Sequence, residues 1–116
     1  MSLWKWKDVE LEVDMYDVDF QEKYENAFNQ MEITGKELQT TGTLTDFSRN
    51  YCNMFFRLFD DIFGIGTSDK LFNGKKNIRE IESCYDSFVE FCSAEVNEYI
   101  KKSTAKAKKY NLKYKK

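Results

Sequence analysis

Apolar and polar positions along the 116-residue chain change period once, near residue 18. From Trp4 to Met15, WKWKDVELEVDM, they alternate. A period of two predicts strands with one covered face. Trp4 and Trp6 point one way, and Val9, Leu11, Val13 and Met15 do so again. The phase breaks at Lys7-Asp8, which predicts a tight turn and a short two-stranded hairpin. A single strand after a loose arm is the alternative. An isolated hairpin is only marginally stable, so helices must cover its apolar face.

Beyond Asp17 or Asp19, either of which can cap a helix, the period becomes helical. Phe20, Tyr24, Ala27, Phe28 and Met31 form one face, which Leu38 extends. Ile33-Thr34-Gly35 combines two β-branched residues with a glycine and predicts a weak or bent stretch. QTTGT, residues 39–43, is a polar connection. The segment from Leu44 to Phe72 then holds six of the ten phenylalanines. Leu44, Phe47, Tyr51, Phe55, Leu58 and Ile62 recur at steps of three and four, and Met54, Phe59 and Phe63 widen the stripe. Thr43 or Thr45 can cap this helix, and Gly64 can end it. Gly66-Thr67-Ser68-Asp69 opens a helical turn that brings back Leu71 and Phe72 and stops at Asn73-Gly74. A last long helix follows with Ile78, Ile81, Tyr85, Phe88, Cys92, Val96 and Tyr99 on one side. Past Ser103 the stripe thins to Ala105, Ala107, Tyr110, Leu112 and Tyr114, so fraying into a mobile basic tail is expected there.

These elements predict a mainly α fold. It is a small bundle of three main helices plus a short helix, with an N-terminal β-hairpin or strand. Residues 1–103 form a single domain and residues 104–116 a basic tail. Met1-Ser2-Leu3 reads as a detachable lead outside the fold. The second helix has the widest apolar arc and should be central, with the hairpin tryptophans closing an open edge.

Charge and chemistry narrow the reading. Net charge is −2, but residues 1–60 carry 12 acids against 6 bases, whereas residues 61–116 carry 8 acids against 12 bases. Asp8, Glu10, Glu12, Asp14, Asp17, Asp19, Glu22 and Glu25 crowd the start. Lys101, Lys102, Lys106, Lys108, Lys109, Lys113, Lys115 and Lys116 fill the end without an acid among them. There is no histidine, which removes the usual base at neutral pH. Cys52, Cys84 and Cys92 lack metal-ligand spacing and fall on apolar faces, so reduced, buried thiols in a cytosolic setting are expected. No apolar run approaches the roughly 18 residues of a membrane span, and no secretory signal is legible.

Three constellations invite chemistry. Asp60 and Asp61 are neighbours about 100° apart on a helix, so they do not make a paired-carboxylate site and read as solvated helix-end residues. Gly64-Ile65-Gly66-Thr67-Ser68 lacks the order of a phosphate loop and reads as a turn between helices. The acids near the start lack calcium-loop spacing and read as helix caps and edge-strand protection. No catalytic residue, metal ligand or cofactor site emerges, and a non-enzymatic protein is expected. Aromatic residues make up 16% of the chain, a surplus that favours self-association through the second helix and leaves some rings for a partner. Trp4, Trp6, Phe56, Phe63 and Phe72 are the candidate partner-binding residues. Lys106, Lys108, Lys109 and Lys113 are candidate contacts to nucleic-acid phosphates in an alternative reading.

The order of parts resembles a group of small proteins encoded in structural operons of tailed phages and prophages. The likeness rests on VELEVDMYDVD, on FQEKYENAF and, most specifically, on FRLFDDIFGIGTSDKLFNG from Phe56 to Gly74. The group's motif runs aromatic-Asp-Asp-x-Phe-Gly-x-Gly-Thr, with an acid where Ile65 stands here. The resemblance covers roughly Trp6 to Lys109. It implies a phage morphogenesis protein in a bacterial cytoplasm. By analogy it implies a tail assembly chaperone that coats the tape-measure protein. A virion connector or tail-completion component, and a small nucleic-acid-binding accessory protein, are the other readings.

Overall fold

The computed structural model describes residues 2–38 and 42–114. Strands β1 (Ser2–Trp6) and β2 (Val9–Val13) precede helices α1 (Val18–Glu37), α2 (Leu44–Phe63), α3 (Thr67–Phe72) and α4 (Ile78–Tyr114). The mainly α architecture with an N-terminal hairpin is therefore present. No described helix is long and apolar enough to cross a membrane.

The hairpin is antiparallel, with Ser2 opposite Val13, Trp4 opposite Leu11 and Trp6 opposite Val9. Its turn is Lys7-Asp8, and Lys7 takes a left-handed φ of 54°. Ser2 and Leu3 belong to β1, so the lead expected to be detachable is paired strand. Alternation sends Trp4 and Val13 inward and leaves Leu3, Lys5, Glu10 and Glu12 on the outer face. Carboxylates there discourage pairing with another strand edge.

Asp17 caps α1 by accepting from the Asp19 amide at 3.0 Å. The helix runs without a break through Ile33-Thr34-Gly35 to Glu37, contrary to the weak stretch expected there. Packing overrides propensity at this point: a side chain at Gly35 would stand 3.8 Å from the Met54 sulfur of α2. The connection at residues 39–41 lies outside the described residues. Thr43 caps α2, accepting from the Asp46 amide at 3.0 Å.

The buried set includes Trp4, Phe55, Leu58, Phe59, Ile62, Phe72, Ile81, Phe88 and Cys92, with α2 at its centre as its wide stripe requires. Trp4 stacks on Phe59 with ring centres 5.8 Å apart and planes 7° apart. It also meets Phe88 at 5.0 Å, and its indole nitrogen donates to the Ser87 hydroxyl at 3.1 Å. One tryptophan thus closes the seam between α2 and α4. Phe55 meets Tyr85 and Phe59 meets Phe88, so α2 and α4 run parallel. Phe28 meets Tyr85 while Tyr24 meets Phe88, so α1 runs against both.

The chain's shape departs from a compact bundle, with extents of 64 × 33 × 21 Å. The cause is α4. At 37 residues and about 1.5 Å per residue it is roughly 55 Å long. Its polar start is capped by Asn77, whose side chain accepts from the Glu80 amide at 3.1 Å. Its apolar face lies in the core as far as Val96. The helix does not stop near Ser103; it continues to Tyr114. Alanine and lysine favour helix without burial, which the expectation of fraying underweighted.

Candidate functional site

The most specific sequence motif turns out to be architectural. Asp60 is half-buried rather than solvated. Its carboxylate accepts from the Ser68 amide at 2.8 Å and from the Ser68 hydroxyl at 3.1 Å. Asp60 in the last turn of α2 thus satisfies one of the open amides of α3. The Thr67 hydroxyl donates to the Gly64 carbonyl at 2.7 Å. Gly64 and Gly66 take φ values of 115° and 99°, a region that penalises other residues. Asp61 points elsewhere and meets Arg57 at 3.5 Å on the surface. The two aspartates therefore share no site. Ile65, between the glycines, is 100% exposed.

The five candidate partner-binding aromatics are distributed as follows. Trp4 and Phe72 are buried at 2% and 4% exposure and face the interior. Trp6, Phe56 and Phe63 are half-buried against the core. Phe56 stacks on Phe72 at 5.3 Å and carries Lys76 over its ring at 5.4 Å. Phe63 is enclosed by Trp4, Phe20 and Phe88. The indole nitrogen of Trp6 is buried without an acceptor among the described residues. These rings build the core or its margin, and the surplus of aromatics is spent mostly inside.

Two apolar stripes do overrun the core, at opposite ends. At the start of α2, Leu44 is 82% and Phe47 39% exposed, although both continue the stripe of Tyr51, Phe55, Leu58 and Ile62. Phe47 is stacked on Tyr51 at 5.9 Å. Nearby, Thr45, Ser48, Arg49, Lys76, Asn77 and Arg79 line a polar, cationic groove of about 520 Å³. Sequence reasoning placed Leu44 and Phe47 on the buried face. Stripe periodicity shows which side a residue occupies and not how far the neighbouring helices reach.

The second overrun is at the far end of α4. Every described residue from Ile100 to Lys109 is exposed, with Lys101, Lys102, Lys106, Lys108 and Lys109 among them. Position 113 lies beyond the residues whose side chains are described. At the root of this free segment, Tyr16 meets Tyr99 at 5.2 Å. Beside that pair is a groove of about 380 Å³ between the first turns of α1 and the middle of α4. Met15, Tyr24, Val96 and Tyr99 supply its apolar lining, and Gln21 and Glu25 stand on its α1 side. The Gln21 side-chain amide donates to the Met15 carbonyl at 2.8 Å and fixes the turn ahead of α1.

Titratable groups in the interior are held in their neutral forms. Burial, with the nearby Glu80 charge, pushes the Cys84 thiol up to about 12. Burial and Glu95 do the same to Cys92, also to about 12. Burial raises Cys52 as well. Such thiols are poor nucleophiles. Tyr51 is raised to about 12 by burial and by its hydrogen bond to Glu82, which accepts from the phenol at 2.6 Å. Among the described residues, no group of three His, Cys, Asp or Glu side chains could hold a metal ion.

Residues 7–116 match the model of a family of unknown function, DUF6673, and the chain belongs to that family. No curated protein and no solved structure matches the chain significantly.

Proposed function

We propose that this DUF6673 protein is a non-enzymatic morphogenesis protein of tailed phages or prophages that works by binding another structural protein. The client we propose is the helical tape-measure protein, shielded in the host cytoplasm until the tail tube assembles around it. The resemblance of FRLFDDIFGIGTSDKLFNG to the phage group supports the setting. The use of Asp60, Thr67 and Ser68 to fasten α3 to α2 supports a structural reading of that motif.

One observation carries the binding role. The apolar stripe of α2 extends past the core at Leu44 and Phe47, where no described element covers it. An amphipathic helix of a client could lie across this end with its apolar face inward, in helix-to-groove fashion. Arg49, Lys76 and Arg79 beside it favour a client helix with acidic flanks.

Co-expression with the tape-measure protein of the same operon tests the proposal. The expected result is a soluble client that co-elutes with the chain, and loss of both effects with Leu44→Ser and Phe47→Ser. An insoluble client with the unmodified chain, and no complex, overturns it.

A further inference from the structure

The free segment of α4 and the groove at its root are complementary to one another, yet one chain cannot bring them together. Residues 100–114 extend away from the body as a helix about 22 Å long at 1.5 Å per residue. Its lysines leave behind the last acid of the chain, Glu98, which is paired with Lys102 at 2.9 Å. Ile100, Ser103 and Ala107 lie within about 60° of one another at 100° per residue, and positions 110 and 114 fall in the same register. Lys101, Lys102, Lys106, Lys108 and Lys109 lie off this weakly apolar strip.

At the root, the groove offers the opposite properties. Met15, Tyr24, Val96 and Tyr99 form an apolar floor. Glu25 stands at its rim, Asp17, Asp19 and Glu22 are exposed on the cap and first turns of the same helix, and among the described residues none of the four has an ion-pair partner. Lys23 is the one cation on the same two turns of α1. A continuous helix holds its own tip away from this patch, so the charges are matched in kind but separated in space.

We propose that the free end of α4 docks in the α1–α4 groove of a second copy of this chain, lysines against carboxylates. The groove lies where the arm begins, so the contact is reciprocal. The two arms run antiparallel, and each tip reaches the other copy's acidic turns. This is an isologous twofold interface, the commonest kind in homodimers. A nucleic acid is the weaker occupant. A phosphate backbone gains nothing from the apolar floor and meets the Glu25 carboxylate on its rim. This association involves the protein alone and stands or falls separately from the client proposed above.

A charge exchange in the full-length chain tests it. Mass is read by light scattering after size exclusion, and affinity by sedimentation. The unmodified chain should run at twice its 13.8 kDa mass at low salt and move toward monomer as salt screens the pairs. Lys106→Glu/Lys109→Glu and Glu22→Lys/Glu25→Lys should each weaken self-association by at least about tenfold while keeping the helical circular dichroism. An equimolar mixture of the two variants should restore the dimer, because each arm then meets a groove of opposite sign. A monomer at every concentration overturns the proposal, and so does an oligomer indifferent to either pair of reversals. Tight binding of a DNA duplex by a monomer, abolished by Lys106→Glu/Lys109→Glu, also overturns it.

Discussion

Trp4 offers the sharpest test of how this fold is held, because two roles assign it opposite consequences. If Trp4 belongs to the core, its removal strongly destabilises the protein. If it served a partner, removal would spare the fold. The side chain is 2% exposed and lies against Phe59, Phe63 and Phe88. An indole buries about 200 Å², which at roughly 25 cal/mol per Å² is about 5 kcal/mol. Trp4→Ala should therefore cost about 3–5 kcal/mol, as large-to-small core changes do. That is a large share of the roughly 5–15 kcal/mol that holds a small domain together. Trp4→Phe keeps a ring between Phe59 and Phe88 and loses the hydrogen bond to Ser87. That bond is worth about 1 kcal/mol, and the smaller ring adds a similar packing loss, so about 2 kcal/mol is expected. The assay is urea unfolding followed by circular dichroism at pH 7. Ala, Phe and Trp should rank in that order with unchanged slopes. A Trp4→Ala variant within about 1 kcal/mol of the parent would refute the argument that the hairpin is fastened by this one ring.

Other expectations follow from the same structure. Asp60→Ala should cost about 1–2 kcal/mol through loss of the cap on α3, whereas Asp61→Ala should stay within about 0.5 kcal/mol, as exposed helix pairs do; thermal melts compare the two. Cys52, Cys84 and Cys92 should resist a thiol reagent in native buffer at pH 8, and all should react in denaturant, since burial raises each of them. Cys84 and Cys92 ionise near 8.5 when unfolded but only at about 12 when folded. Their stabilising contribution is complete below the unfolded value and is lost as pH rises toward the folded one. Urea midpoints should therefore be flat around neutrality and fall above about pH 9, and a flat profile to pH 11 would contradict the burial argument. Leu44→Ser should leave the melting temperature nearly unchanged, within the roughly 0.5 kcal/mol of an exposed site.

The sequence reading succeeded where one physical signal governs. Period two gave the hairpin and its turn at Lys7-Asp8, and the three-four steps gave α2 from Leu44 to Phe63. Thr43, Gly64 and Asn73-Gly74 marked ends through capping and left-handed backbone. It fell short where a residue's role depends on a distant neighbour. Asp60 was read as solvent-facing because Ser68 comes to it only after the chain turns at Gly64 and Gly66. Trp4 and Phe72 were read as partner contacts because aromatic count cannot say which rings face inward. The length of α4 was missed for the opposite reason. A helix of alanine and lysine needs no covering partner to satisfy its backbone, so a thinning stripe is a weak stop signal. The groove at its root was not legible at all, since it is made by α1 and α4 only after they pack.

Ile65 stands wholly in solvent on a backbone whose path is dictated from either side, by Asp60 and Thr67. Among the described residues nothing packs on the side chain there. The choice of residue at that knuckle is thus free of any folding requirement, and its variation across relatives should report only what the surface encounters. An acid in one lineage and isoleucine in another would then be a trace of different surroundings, written at a place where the interior has no vote.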